Sequence, residues 1–190
     1  MGQKTLSQKR LAALTITGKD RPGIIANLTG AIYQAGGNLE DASMTILEGE
    51  FAMIVIASLS GSGLKQLIVK LNRLSAASDL TISIKQIQRK LKRGERHQPG
   101  TSPYLVSVFG KDRAGIVYHV ARALAGRGIN ITDLNSRITG EGAKAGYALI
   151  LEADFPAAPV RAKSVIGMLQ RLARQLHVTI AAAPMNVARL

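Results

Sequence analysis

GKDRPGII, from Gly18 to Ile25, returns as GKDRAGIV, from Gly110 to Val117, at a constant offset of 92 residues. Each copy follows a strand-like run and leads into an amphipathic helical pattern. In each, an Asn stands eighteen positions beyond the motif's Asp: Asp20 to Asn38, and Asp112 to Asn130. Repetition of this kind means two copies of one structural module, so the two turns are where a functional reading begins.

Before the first copy, Ala12, Leu14 and Ile16 alternate with Ala13, Thr15 and Thr17, the period of a strand with one buried side over Leu11–Gly18. After it, Ile24, Ile25, Leu28, Ala31, Ile32 and Ala35 recur three and four apart, a helix that stops at Gly36-Gly37. Residues 38–47 and 50–59 read as a hairpin turning at Glu48-Gly49, with Ala42, Met44 and Ile46 on one face of its first strand. A second helix follows through Leu64, Leu67, Ile68, Leu71 and Leu74, with Ser62 as the expected N-cap, and Asp79–Ile87 closes the module as a strand.

The second half repeats the order: strand 104–110, helix 116–128, hairpin 129–139 and 145–153, helix 158–175 and strand 177–183. Its hairpin tip is four residues longer, which predicts a flexible tip over 140–144. Strand, helix, strand, strand, helix, strand is the ferredoxin-like βαββαβ arrangement. The fold class is therefore α+β, two four-stranded antiparallel sheets with both helices of each on one face. The expected domains are residues 1–87 and 103–190, joined by a basic linker over 88–102, with a short tail after Pro184 that packs on the sheet or frays.

Hydrophobic residues make up 46% of the chain and charged residues 19%, a globular composition whose apolar runs are too short and too interrupted to span a bilayer. The first ten residues carry no export or lipidation pattern, and the absence of Cys excludes disulfides and thiolate metal sites, so a cytoplasmic protein is expected. The net charge is +13, divided as +3 over 1–87 (nine basic, six acidic), +4 over 88–102 (five, one) and +6 over 103–190 (eleven, five). The densest basic run is the linker, with Arg89, Lys90, Lys92, Arg93 and Arg96. A surplus of this size favours acidic partners, nucleic acid included.

Two readings of the repeated turn stand side by side. In the structural one, Asp20 caps the first backbone N–H groups of the helix, and Pro22 occupies its first turn, where the missing donor is not needed. In the functional one, Gly23 opens access to those N–H groups, and the positive end of the helix receives a small carboxylate. Asn38, whose amide both donates and accepts, is expected near the same edge, and the alternative for it is a left-handed residue after Gly37.

DRPGII after a short strand, followed by a helix, a glycine, Asn38-Leu39-Glu40-Asp41 and a hairpin, resembles the ACT domain, and it does so once per half over nearly the whole chain. Two such domains with no catalytic partner look most like the glycine cleavage system transcriptional repressor group. The resemblance implies a regulatory, non-enzymatic protein without cofactor or metal. It would bind a small amino acid, glycine or serine favoured, and act on a transcription regulator through protein–protein contact, commonly as a homo-oligomer. Carried over by position, the ligand contacts are Lys19, Asp20, Arg21, Pro22, Gly23, Ile24 and Asn38, and Lys111, Asp112, Arg113, Ala114, Gly115, Ile116 and Asn130, with Asp41 and Asp133 as secondary contacts. Ala114 departs from the Pro of the pattern, which favours the first turn.

Other classes find less in the residues. RNA-recognition modules of this topology stack bases on sheet aromatics, whereas only 4% of this chain is aromatic and Phe51, Tyr104, Phe109 and Tyr147 are scattered over two modules. His97, His119 and His177 fall in a linker, a helix and a strand start, and no metal or phosphate-loop spacing occurs. The class that remains beside the regulator is a nucleic-acid binder working through its linker and basic surface.

Overall fold

The computed structural model describes residues 9–88, 97–140 and 145–185. The chain divides into two compact units, Met1–Leu91 and Lys92–Leu190. Unit 1 runs β1 (Arg10–Lys19), α1 (Ile24–Gln34), β2 (Asn38–Leu47), β3 (Glu50–Leu59), α2 (Gly61–Ala76) and β4 (Leu80–Ile87). Unit 2 repeats this as β5 (Thr101–Lys111), α3 (Ile116–Ala125), β6 (Ile131–Thr139), β7 (Gly146–Pro156), α4 (Pro159–Leu176) and β8 (Val178–Pro184). The sheet orders are β2-β3-β1-β4 and β6-β7-β5-β8, every pairing antiparallel.

The alternation that marks the strands is the alternation of burial. Ala12, Leu14 and Ile16 of β1 and Phe51, Met53, Val55 and Ala57 of β3 face the helices, where they meet Ile24, Leu28 and Ile32 of α1 and Leu64, Leu67 and Leu71 of α2. Each fully buried Leu or Ile contributes on the order of 1.5–3 kcal/mol, so this one face stabilises the unit. Unit 2 builds its core likewise from Val106, Val108, Leu149 and Leu151 against Val120, Leu124, Val165 and Leu169, with Tyr104 stacked on Phe155 at 4.3 Å between ring centroids.

The edge strand β2 departs from that pattern. Ala42, Met44 and Ile46 do share the helix-side face, opposite Val55, Met53 and Phe51, yet all three are exposed, because β2 lies beyond the cover of the helices. Both edge strands β2 and β6 also carry a bulge at the same place, between Leu39 and Asp41 and between Ile131 and Asp133.

Several local expectations are corrected. The N-cap of α2 is Ser60, whose Oγ accepts from the Gly63 N–H at 3.0 Å; the expected cap, Ser62, lies within the helix with its hydroxyl 3.1 Å from that of Ser60. His177 is the left-handed C-cap of α4 (φ 52°) and precedes β8. β5 begins at Thr101, where Thr101 and Ser102 pair with Pro156 and Phe155, so the strand reaches into the stretch expected as linker. Just before it, Asp154, 2% exposed, accepts from the Gln98 N–H at 3.0 Å and lies 2.7 Å from His97 Nδ1. A carboxylate only accepts, so the His97 nitrogen carries the proton of that bond. The basic run 89–96, the hairpin tip 141–144 and the tail from 186 lie outside the described residues.

Candidate functional site

The motif builds the same turn twice. β1 ends at Lys19, and the Asp20 N–H donates to the Gly49 carbonyl at 2.8 Å, holding the turn against the hairpin tip. Gly23 then takes the left-handed region at φ 94°, which glycine enters without a Cβ penalty, and α1 starts at Ile24. In unit 2, Asp112 donates to Ala145 at 3.4 Å and Gly115 again sits at φ 94°. With Ala114 in place of Pro22 the left-handed glycine and the helix start keep their positions, while the bond that anchors the turn is longer.

Asp20 does not cap the helix. The cap residue is Gly23, no side chain bonds to the first turn, and Pro22 lies one residue outside that cap. The left-handed turn at Gly23 moves the helix start past both, leaving Asp20 three residues short of the cap. Gly115 caps α3 in the same way, without a side-chain bond. The first N–H groups of each helix lack an intrahelical partner by construction, so both helices present unused donors and a positive dipole end at an exposed turn. Lys19, Arg21, Lys111 and Arg113 beside them are exposed, while Ile24 and Ile116 are buried in the core.

Asn38 and Asn130 are elsewhere. On β3, Lys19 of β1 pairs with Glu50 while Asn38 of β2 pairs with Ser58, eight residues further on. At a strand rise of about 3.4 Å, Asn38 and the turn stand about 27 Å apart, at opposite ends of the sheet. In unit 2 the Asn130 carbonyl accepts from the Asp154 N–H near one end of β7, while Lys111 pairs with Gly146 at the other. The expectation that Asn38 lies near the turn is therefore corrected: strand, helix, strand returns the chain to the sheet end where it began. Asn38 is not left-handed either. It opens β2 and donates through Nδ2 to Glu40 Oε1 at 3.2 Å, the atom that also accepts from Ser58 Oγ at 2.6 Å.

Asp41 and Asp133 occupy equivalent exposed positions after the two bulges, paired with Ile56 and Glu152. Asn27, which the sequence reading did not single out, and His119, read there only as an isolated helical histidine, stand over the turns instead. A Cβ built on Gly23 would lie 3.9 Å from Asn27 Nδ2, and one on Gly115 3.4 Å from His119 Cδ2. The signal available was spacing, since a residue four beyond the glycine lies one helical turn above it. Among the described residues no three of His, Asp and Glu converge as metal ligands, and no helix is long and apolar enough to cross a membrane.

Profiles of the ACT domain match residues 11–85 and 104–166. The chain belongs to the ACT-domain family, with one domain in each half. The glycine cleavage system transcriptional repressor of Escherichia coli is 26% identical over 166 residues, 80% of this chain and 86% of that protein. A UPF0237 protein of Methanopyrus kandleri is 41% identical over 49 residues, 26% of this chain and 54% of that protein, so the match spans about half its length. Among solved structures, an unknown protein from Galdieria sulphuraria superposes with a TM-score of 0.78 at 26% identity, over 94% of this chain and all of that one. A putative glycine cleavage system transcriptional repressor superposes at 0.71 and 21% identity, over 95% of this chain and 100% of the other, which shows the shared fold. ACT-domain membership suggests a regulatory role served by a small ligand, and the named relative is itself a regulator.

Proposed function

We propose that this chain is a non-enzymatic regulator that binds a small amino acid, glycine or serine favoured, at its β1–α1 turns and modulates a transcription regulator by protein–protein contact. The observation that carries the reading is the pair of exposed turns, each ending in a left-handed glycine and a helix start without a side-chain cap. A carboxylate at such a turn accepts from backbone N–H groups and meets the positive helix end, while the absent Cβ leaves room for its approach. Similarity to the E. coli repressor over 80% of the chain supports a transcriptional role.

An α-amino acid spans only a few ångströms, so it cannot touch the Asp20 turn and Asn38 of one unit at once. If both belong to one site, a second copy of the chain supplies one of them. Edge strand β2 is exposed over nearly its whole length, and antiparallel edge pairing of two copies would set the turn end of one beside the Asn38 end of the other.

The test is a thermal-shift panel of free amino acids on the full chain. A ligand at about 100 times its dissociation constant adds about 2.7 kcal/mol of stability, readily seen as a raised melting temperature. Glycine or serine is expected to give the shift; a panel flat at millimolar concentrations would overturn the reading.

A further inference from the structure

The four helices, α1 to α4, contain no Asp or Glu. All twelve acidic residues of the chain lie outside them, and the ten that are described sit on strands and turns. The helices carry eight of the basic residues: three on α2, one on α3 and four on α4. The helices thus carry charge of one sign only, whereas the strands and turns carry both: of the seventeen described Lys and Arg residues, nine lie outside the helices.

The cations are spread along the helices and do not converge on a pocket. Lys65 and Arg73 lie eight residues apart on the outward ridge of α2, about 12 Å at 1.5 Å per residue, and both are exposed. Lys70, at the edge toward α1, donates to Gln34 Oε1 at 2.8 Å. On α4, Arg161, Lys163, Arg171 and Arg174 are all exposed; the last three share the face opposite the buried Ala162, Val165 and Leu169. Among the described residues none of these cations has a carboxylate partner.

A row of unpaired cations with no intervening acid suits a partner that is itself a row of anions. Duplex nucleic acid presents one phosphate charge per about 1.7 Å of axis, and contacts to it need neither a pocket nor aromatic stacking. We propose that the helical face of each unit is a contact surface for the phosphate backbone of duplex nucleic acid, without sequence preference. This places nucleic-acid affinity on α2 and α4, away from the sheet face on which RNA-recognition modules stack bases and independent of the amino-acid turns.

The experiment is fluorescence anisotropy of the full chain with a labelled random-sequence DNA duplex, titrated between about 50 and 200 mM salt. With six or more phosphate contacts the affinity is expected to fall about a thousandfold across that range. Neutralising α2 (Lys65→Gln, Lys70→Gln, Arg73→Gln) or α4 (Lys163→Gln, Arg171→Gln, Arg174→Gln) each removes about 2.7 from the log–log salt slope and lowers affinity at least about tenfold. These sites are on the surface and in separate units, so a folding defect in one variant leaves the other as the test, with circular dichroism as the check. A linker control (Lys90→Gln, Lys92→Gln, Arg93→Gln) is expected to bind within about twofold of the parent. The proposal is overturned by absence of binding at the lowest salt. It is equally overturned if the linker control loses the affinity while both helix variants keep it, or if phosphatidylserine vesicles or polyglutamate are bound more tightly than the duplex. Amino-acid thermal shifts are read separately, so either result stands without the other.

Discussion

The backbone N–H of Asp20 donates to the carbonyl of Gly49 at 2.8 Å, tying the β1–α1 turn to the β2–β3 hairpin tip and away from Asn38, at the far end of β2. A consequence for ligand binding follows from that separation. Asp20→Ala and Asn38→Ala are each expected to reduce the amino-acid thermal shift if one site uses both residues across two copies of the chain. Mixing the two variants after partial unfolding and refolding then restores part of the shift, because a mixed pair contains one intact turn facing one intact Asn38. Loss with Asp20→Ala alone would confine the ligand to the turn.

Gly23 and Gly30 sit on the same segment and are expected to respond in opposite directions. A Cβ at Gly23 meets no atom closer than 3.9 Å, but φ 94° strains any L side chain, so Gly23→Ala destabilises by about 1–2 kcal/mol and removes the ligand shift. Gly30, within α1, has nothing within 4 Å of a built Cβ and ordinary helical geometry. Gly30→Ala stabilises by about 0.5–1 kcal/mol. Urea unfolding of both variants measures the difference.

Ser60→Ala is expected to cost about 1 kcal/mol, since it removes the acceptor for the Gly63 N–H at the start of α2. Ser62→Ala, inside the helix, costs less than about 0.5 kcal/mol. Equal losses in equilibrium unfolding would show that the cap is misassigned.

His97→Ala leaves the Asp154 carboxylate, 2% exposed, with the backbone N–H of Gln98 as its remaining described partner. An under-paired buried charge costs about 2–3 kcal/mol, and the loss is expected in unit 2. Hydrogen exchange should then rise along β5 and β7 and leave unit 1 unchanged. Protection altered equally in both units would refute this assignment.

Much of this was legible because it is local. The hairpin 38–47 and 50–59 and the helix start at Ile24 follow from alternation, helical spacing and the positions of Gly, and the structure keeps them within a residue or none. Caps were less legible: Ser60 and Ser62 are both good capping residues, and which one acts depends on where the chain leaves β3. The extra length of β5 was hidden for a similar reason, since Thr101 and Ser102 become strand only through pairing with Pro156 and Phe155 on a distant segment.

The sequence by itself determined the duplication, the βαββαβ order and the two turns, because these rest on repeats and periodicities that each segment carries alone. Only the tertiary structure decided that Asn38 stands at the opposite end of the sheet from Asp20, and that the cations of α4 lie on the face turned away from its buried residues. Both are consequences of strand order and layer packing, in which residues distant along the chain are brought to one face and residues close in a motif are carried apart.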